Sequence, residues 1–179
     1  MDFQSKPHIL LNRKEIAATV SRLATEICRD YKSSCPLLIG ILKGSFVFMA
    51  DLIRLLDIPV EIEFIKLSSY GKGTESSGNI KIEQAIKTPV TCRDILIIED
   101  IVDTGFTINF LLDYLRKQEP ASLKLCALAD KPSRRQVPVP IDYLGFTVPN
   151  KFLVGYGLDL DERFRNLPDI CALEEKAQN

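Results

Sequence analysis

The segment Pro36-Leu-Leu-Ile-Gly-Ile-Leu42 carries no polar side chain and is rich in branched residues. It is far too short to span a membrane. With no polar face to turn toward water, it reads as a strand covered on both sides. Ile95-Leu-Ile-Ile98 is a second such strand, ending in Glu99-Asp100, and Leu123 to Ala129 is a third. Helical patterns separate them. Asn12 followed by Glu15 resembles a capping box, and behind it Ile16, Val20, Leu23 and Ile27 recur at helical steps. Ser45 is placed to cap a second helix through Phe46, Met49, Leu52 and Ile53 to about Leu56, and Thr107, Ile108, Phe110, Leu111, Tyr114 and Leu115 outline another. Val60 to Phe64 alternates as a half-exposed strand, and Ile80-Lys-Ile82 reads as a short returning one. Val139 to Val148 and Phe152 to Tyr156 are the strand candidates of the C-terminal quarter. Alternating strands and helices imply βαβ units, a mainly parallel sheet and one α/β domain over residues 1–179. The ligand of such a sheet is expected beyond the carboxyl ends of its strands.

Composition narrows the partners. Acidic and basic residues number 24 and 23, a balance that gives no support to general nucleic-acid binding. The five cysteines, Cys28, Cys35, Cys92, Cys126 and Cys171, form no CxxC pair and His8 is the chain's one histidine, so a structural zinc site is not expected. Most of the cysteines are expected to be small core residues in a reducing compartment. Lys6, Arg13, Lys14 and Glu15 interrupt the apolar residues of the N-terminus, which leaves no secretory core. A cytoplasmic protein without a membrane partner is the expectation.

The chemistry concentrates in Ile97-Ile-Glu-Asp-Ile-Val-Asp-Thr-Gly-Phe-Thr107. An apolar strand delivers Glu99 and Asp100, then Asp103, into a tight turn that opens a helix. The turn from Asp103 to Thr107 offers backbone N–H groups and hydroxyls to a phosphate, and Gly105 allows positive φ or close approach of a ligand. Carboxylates repel the anion they adjoin, a conflict removed if Glu99 and Asp100 bind sugar hydroxyls and a divalent cation sits nearby. A plain strand-to-helix turn also carries Asp, Thr and Gly as caps, so the turn alone leaves both readings open.

The full eleven-residue pattern closely resembles the phosphoribosyl-pyrophosphate signature of the phosphoribosyltransferase family. Other segments extend the likeness in order over nearly the whole chain: Ile41-Leu-Lys-Gly-Ser45 resembles a pyrophosphate loop in which a non-proline cis peptide precedes the lysine. Ser69-Tyr70 and the Gly/Ser stretch after it resemble a flexible catalytic loop; Ala129-Asp-Lys-Pro-Ser133 resembles the segment whose lysine reads the purine O6. Asp142 to Phe146 and Val148 to Asp159 resemble a purine-binding hood, and Phe164-Arg165-Asn166-Leu167 closes the series. Together they are similar to the hypoxanthine-guanine phosphoribosyltransferases in their short, bacterial-style form. The resemblance implies a type I phosphoribosyltransferase fold, a mainly parallel sheet flanked by helices. It adds a small hood from the N-terminal segment and roughly residues 137–179.

The implied reaction is displacement of pyrophosphate from ribose C1 by a nitrogen of hypoxanthine or guanine, giving IMP or GMP in purine salvage, with magnesium as cofactor. By resemblance Asp103 is the general base. Lys43, Gly44, Glu99, Asp100, Asp103, Thr104, Gly105, Phe106, Thr107 and Arg165 bind phosphoribosyl pyrophosphate. Lys131, Phe152, Leu153 and Asp159 bind the purine, and Glu99, Asp100 and Asp159 bind magnesium. Ser69 and Tyr70 close over the site. Arg134 and Arg135 are read as solvated. Phe106 stands where some members of the family carry lysine, which puts lysine-dependent contacts there in doubt. A homodimer or homotetramer is implied, with the Phe46–Leu56 region as a contact. Two rivals remain: a nucleotide-sensing regulator on the same fold, and a pyrimidine or adenine enzyme. GxxxxGK[ST] is missing, Gly71-Lys-Gly-Thr-Glu-Ser76 fails GxGxxG, and His8 alone supports no nucleophile triad.

Overall fold

The computed structural model describes residues 7–69 and 80–173. Along the chain run β1 (His8–Leu11), α1 (Arg13–Asp30), β2 (Leu37–Leu42), α2 (Phe46–Ile53), β3 (Glu61–Ser69) and β4 (Ile80–Gln84). They are followed by β5 (Asp94–Val102), α3 (Phe106–Arg116), β6 (Ser122–Asp130), a 3-10 turn (Pro132–Arg134), β7 (Tyr143–Thr147), β8 (Phe152–Val154) and β9 (Ile170–Leu173). Six strands form one sheet in the order β4-β3-β2-β5-β6-β7, parallel throughout except for the β3–β4 pair. This is the mainly parallel sheet with helices that the alternating pattern predicts. A second, antiparallel sheet, β1-β9-β8, joins residues from both ends of the chain.

The continuous apolar runs are buried on both faces because side chains alternate across a strand. Leu37, Ile39, Ile95, Ile97 and Leu125 pack with Ile108, Leu111 and Leu115 of α3. Leu38, Leu96, Ile98 and Leu128 pack on the other face with Val20 and Leu23 of α1 and Phe48 and Met49 of α2. Ile95 through Ile98 have no exposed surface, and each such side chain contributes roughly 1.5–3 kcal/mol by burial. α1 begins with the expected box. Asn12 Oδ1 accepts from the backbone N–H of Lys14 and Glu15, and the Glu15 carboxylate accepts from Asn12 N–H at 2.8 Å.

Some local expectations are corrected. Ser45 does not cap α2: its buried hydroxyl donates to the Ile41 carbonyl at 2.6 Å and is therefore turned away from the helix N–H groups. α2 ends at Ile53, short of Leu56. β5 continues past its apolar run, because Glu99 and Ile101 keep their pairing with Ala127 and Ala129. Only Cys126 and Cys171 are buried; Cys28 is half-buried, and Cys35 and Cys92 are exposed. Among the described residues no helix is long and apolar enough to cross a membrane.

Candidate active site

The carboxyl ends of β2, β5 and β6 open into one cleft of about 790 Å³. Lys43 and Gly44 follow β2, Asp100 and Asp103 lie at the end of β5, and Lys131 follows β6. Phe152, Leu153, Asp159 and Arg165 line the opposite wall, supplied by β8 and the loop after it. Nine of the residues expected from the sequence thus share one cavity although they are spread over more than 120 positions of chain. The peptide bond between Leu42 and Lys43 is cis. A Cβ on Gly44 would stand 1.6 Å from the Asp100 carboxylate, so only glycine admits that approach.

Glu99 lies beneath the cleft rather than on its lining. Its side chain is buried, and Oε2 has no hydrogen-bond partner. Burial, then the charge of Asp100, pushes its carboxyl well above the usual range. Asp100 is pushed up to about 6 by burial, even though the Ile101 N–H donates to its Oδ1 at 2.8 Å. Two adjacent carboxyl groups that ionise reluctantly are short of positive charge. Hard oxygen donors in that condition fit a divalent cation, which usually takes one or two carboxylates and completes its shell with water and substrate oxygens. Among the described residues no three His, Cys, Asp or Glu side chains converge as a ready-made metal cage.

Asp103 sits between two cations. Arg134 Nε is 3.1 Å from its Oδ1 and Lys131 Nζ is 4.0 Å from its Oδ2. Lys131 is buried, and loss of hydration pulls its ammonium below the ordinary lysine range, with the charge of Asp103 opposing. Arg134 and Arg135, read as solvated, are both engaged. Arg135 donates to the Asp103 carbonyl at 3.0 Å and the Val102 carbonyl at 3.2 Å, and pairs with the Asp130 carboxylate. The turn Pro132–Arg134 folds the chain back over the end of β5, which brings these guanidinium groups to it.

Thr104, Gly105, Phe106 and Thr107 continue from Asp103 into α3 but do not line the cleft. Gly105 is left-handed at φ 91°, and no side chain caps the helix start. The first N–H groups of α3 therefore have no intrahelical partner. The Thr104 carbonyl accepts from the N–H groups of Gln136 and Val137, tying the turn to the segment after β6. Ser69 ends β3 opposite Ile80, while Tyr70 lies outside the described residues.

The opposite wall is a loop dense in left-handed residues: Gly155, Tyr156, Gly157, Asp161, Glu162 and Phe164. A Cβ on Gly157 would meet the Gly44 carbonyl at 2.2 Å, so this loop closes directly onto the Lys43–Gly44 turn. Arg165 donates to the Gly157 carbonyl at 2.7 Å and pairs with Asp159 at 2.7 Å. The second Asp159 oxygen accepts from the Glu162 N–H at 2.9 Å, and the Glu162 carboxylate pairs with Lys43 at 2.9 Å. The Tyr156 hydroxyl donates to Asp51 of α2 at 2.7 Å and anchors the loop to the main body. Arg134, read from the sequence as solvated, also lines the cleft, as do Asn150, Lys151, Leu158 and Leu173 of β9, to which the sequence reading assigns no role.

The family model described as phosphoribosyl transferase domain matches residues 8–161. A hypoxanthine-guanine phosphoribosyltransferase of Bacillus subtilis is 46% identical over 166 residues, 93% of this chain and 92% of that protein. This chain belongs to the hypoxanthine-guanine phosphoribosyltransferase family. Solved structures of the family agree in three dimensions. A Bacillus anthracis hypoxanthine-guanine phosphoribosyltransferase superposes with a TM-score of 0.88 at 40% identity, covering 94% of this chain and 97% of that one. A Staphylococcus aureus hypoxanthine phosphoribosyltransferase gives 0.90 at 39% identity, covering 93% and 91%. The family-model match takes in Asp103, Lys131, Phe152 and Asp159 and stops short of Arg165, whose place in the cleft comes from the structure.

Proposed function

We propose that this chain transfers the 5-phosphoribosyl group from phosphoribosyl pyrophosphate to hypoxanthine or guanine, releasing pyrophosphate and giving IMP or GMP. The observation that carries the proposal is the pairing of buried Lys131 with Asp103 in one cleft, with Phe152 and Leu153 beside them and Lys43 and Arg165 on its rim. Lys131 donates to the purine O6. A 6-amino group offers it no acceptor, and a buried donor left unpaired costs about 1–3 kcal/mol, so adenine is rejected. Phe152 stacks on the ring, and the Leu153 backbone meets its edge. Asp103 accepts the N7 proton as the base nitrogen bonds to ribose C1, and Arg134 holds its carboxylate in place.

The phosphoribosyl group lies along the Asp103–Thr107 turn, where the free N–H groups of α3 meet its 5-phosphate. Glu99 and Asp100 hold the ribose hydroxyls, and Lys43, Gly44 and Arg165 hold the pyrophosphate. Glu99 and Asp100 would hold one magnesium ion and Asp159 a second. The metal supplies charge neutralisation of the pyrophosphate leaving group. Asp159 reaches that role by exchanging its contacts with Arg165 and Glu162. Phe106, which lines no part of the cleft, leaves the phosphate to the backbone amides. Ser69 and Tyr70 close over the bound sugar and exclude water.

The molecule acts as a single domain, with residues from its N-terminal segment and from about 137–179 forming a hood. It works in the cytoplasm as a homodimer or homotetramer. Exposed Phe46 and Leu55 at either end of the α2 region support that contact, and a monomer by gel filtration would remove it. The deciding test is a steady-state assay with phosphoribosyl pyrophosphate, with and without magnesium, offering hypoxanthine, guanine, xanthine, adenine, uracil and orotate separately. Magnesium-dependent nucleotide formation from 6-oxopurines alone is expected. A folded protein inactive on every base would overturn the proposal.

A further inference from the structure

Glu162 drew no functional reading from the sequence, yet its carboxylate lies where two cations of the cleft meet. Its Oε2 is 2.9 Å from Lys43 Nζ and 3.5 Å from Arg165 Nη2. Lys43 is 119 residues away in sequence and arrives at the end of β2. The loop is shaped to make this meeting. Asp161 and Glu162 are both left-handed, at φ 50° and 62°, and the Glu162 N–H is held by Asp159. The Lys43 hydrogen bond, with the charges of Lys43 and Arg165, keeps the Glu162 carboxyl below its ordinary range. Its side chain is 64% exposed, so it can leave these partners without breaking packed contacts.

Lys43 and Arg165 are the groups that the proposed reaction assigns to pyrophosphate, and the inference rests on that reading. We propose that Glu162 is an internal anion that trades places with pyrophosphate. Between turnovers it neutralises Lys43 and Arg165 and holds them toward the cleft. When the pyrophosphate oxygens arrive the carboxylate swings out, and when the product leaves it returns. An intramolecular competitor lowers the apparent affinity for the ligand by the fraction of time it occupies the cations. The same competition gives departing pyrophosphate a replacement and so favours its release. No bond is made or broken in the exchange; two ion pairs are swapped for others.

The test is calorimetric titration of inorganic pyrophosphate, with magnesium chloride present, into the wild-type chain, Glu162→Gln and Asp161→Asn. Glutamine keeps the size of the side chain and removes its charge. Asp161 is exposed, makes no ion pair among the described residues, and loses the same charge one position away. E162Q is expected to bind pyrophosphate about two- to fivefold tighter, as suits exposed ion pairs. D161N should gain less than half as much, and the E162Q advantage should shrink as potassium chloride is raised. Unchanged or weaker binding by E162Q overturns the proposal. So does an equal gain in D161N, which would make the effect one of overall charge. A wild-type chain that binds no pyrophosphate would overturn the underlying reading of Lys43 and Arg165, and this inference with it.

Discussion

The two walls of the cleft hold their charged groups by different means. On the sheet side, Glu99 and Asp100 stand on β5, a strand with neighbours on both sides and a run of fully buried residues beneath. On the loop side, Asp159, Glu162 and Arg165 stand on a chain of turns and hold one another, and Lys43, through ion pairs. A backbone ladder packed on two faces resists rearrangement, so it can keep carboxyl groups in an environment they disfavour. The Lys43–Glu162 pair is exposed on both sides, and exposed ion pairs contribute little and exchange readily. On the proposed reading the difference divides the labour: the sheet side would set the chemistry, and the loop side would take up and release the ligand.

The hardest test of that division is Asp103→Asn. If the sheet side sets the chemistry, turnover falls by about 100-fold or more with KM for both substrates little changed. Turnover near wild type would remove Asp103 as the base. Asp100→Asn comes next and is read in stability. The Asp100 carboxyl, at about 6 in the folded chain against an ordinary 3.8, binds its proton where the unfolded chain has released it. The folded state is therefore favoured below the ordinary value and loses that advantage as pH climbs from about 4 to 6. Glu99, raised in the same sense, adds to the loss. Metal-free D100N should melt above wild type at pH 7, by at most about 3 kcal/mol, and the two should converge toward pH 4. A variant less stable than wild type at pH 7 would mean that the sheet side is not strained by its charge.

Lys131→Ala should raise KM for hypoxanthine roughly 5- to 150-fold, the range for one lost buried hydrogen bond. Equal affinity in both proteins would take the O6 contact away from Lys131. The smallest effect is expected at the loop anchor. Tyr156→Phe removes one hydrogen bond to Asp51 and should cost about 1 kcal/mol of stability, measured by denaturant midpoint. If it also lowered turnover as far as D103N does, the two walls would not be separable.

Much of the fold was legible because its signals are local. Asn12 and Glu15 announce α1 within four residues, and the runs in β2 and β5 announce a sheet covered on both faces because nothing in them could face water. The short strands β1 and β9 were not legible. Four-residue apolar segments carry too few side chains to show a period, and they become strands only by pairing with each other from opposite ends of the chain, His8 with Ala172 and Leu11 with Ile170. At the site, Asp100 and Asp103 declared themselves within one contiguous string. Arg134, Arg135 and Glu162 did not, since a charged residue in a polar loop looks the same whether it is solvated or paired.

The sequence by itself therefore determined the layering, the alternation of strand and helix, and the placing of paired carboxylates at a strand end before a Thr-Gly turn. These follow from hydrophobic period and residue type over short spans. Only the tertiary structure decided which charges meet: Arg134 with Asp103, Arg135 with Asp130, and Glu162 with Lys43. Ion pairing acts over a few ångströms and ignores chain distance, so its partners are chosen by the packed sheet and the left-handed loop that bring them together.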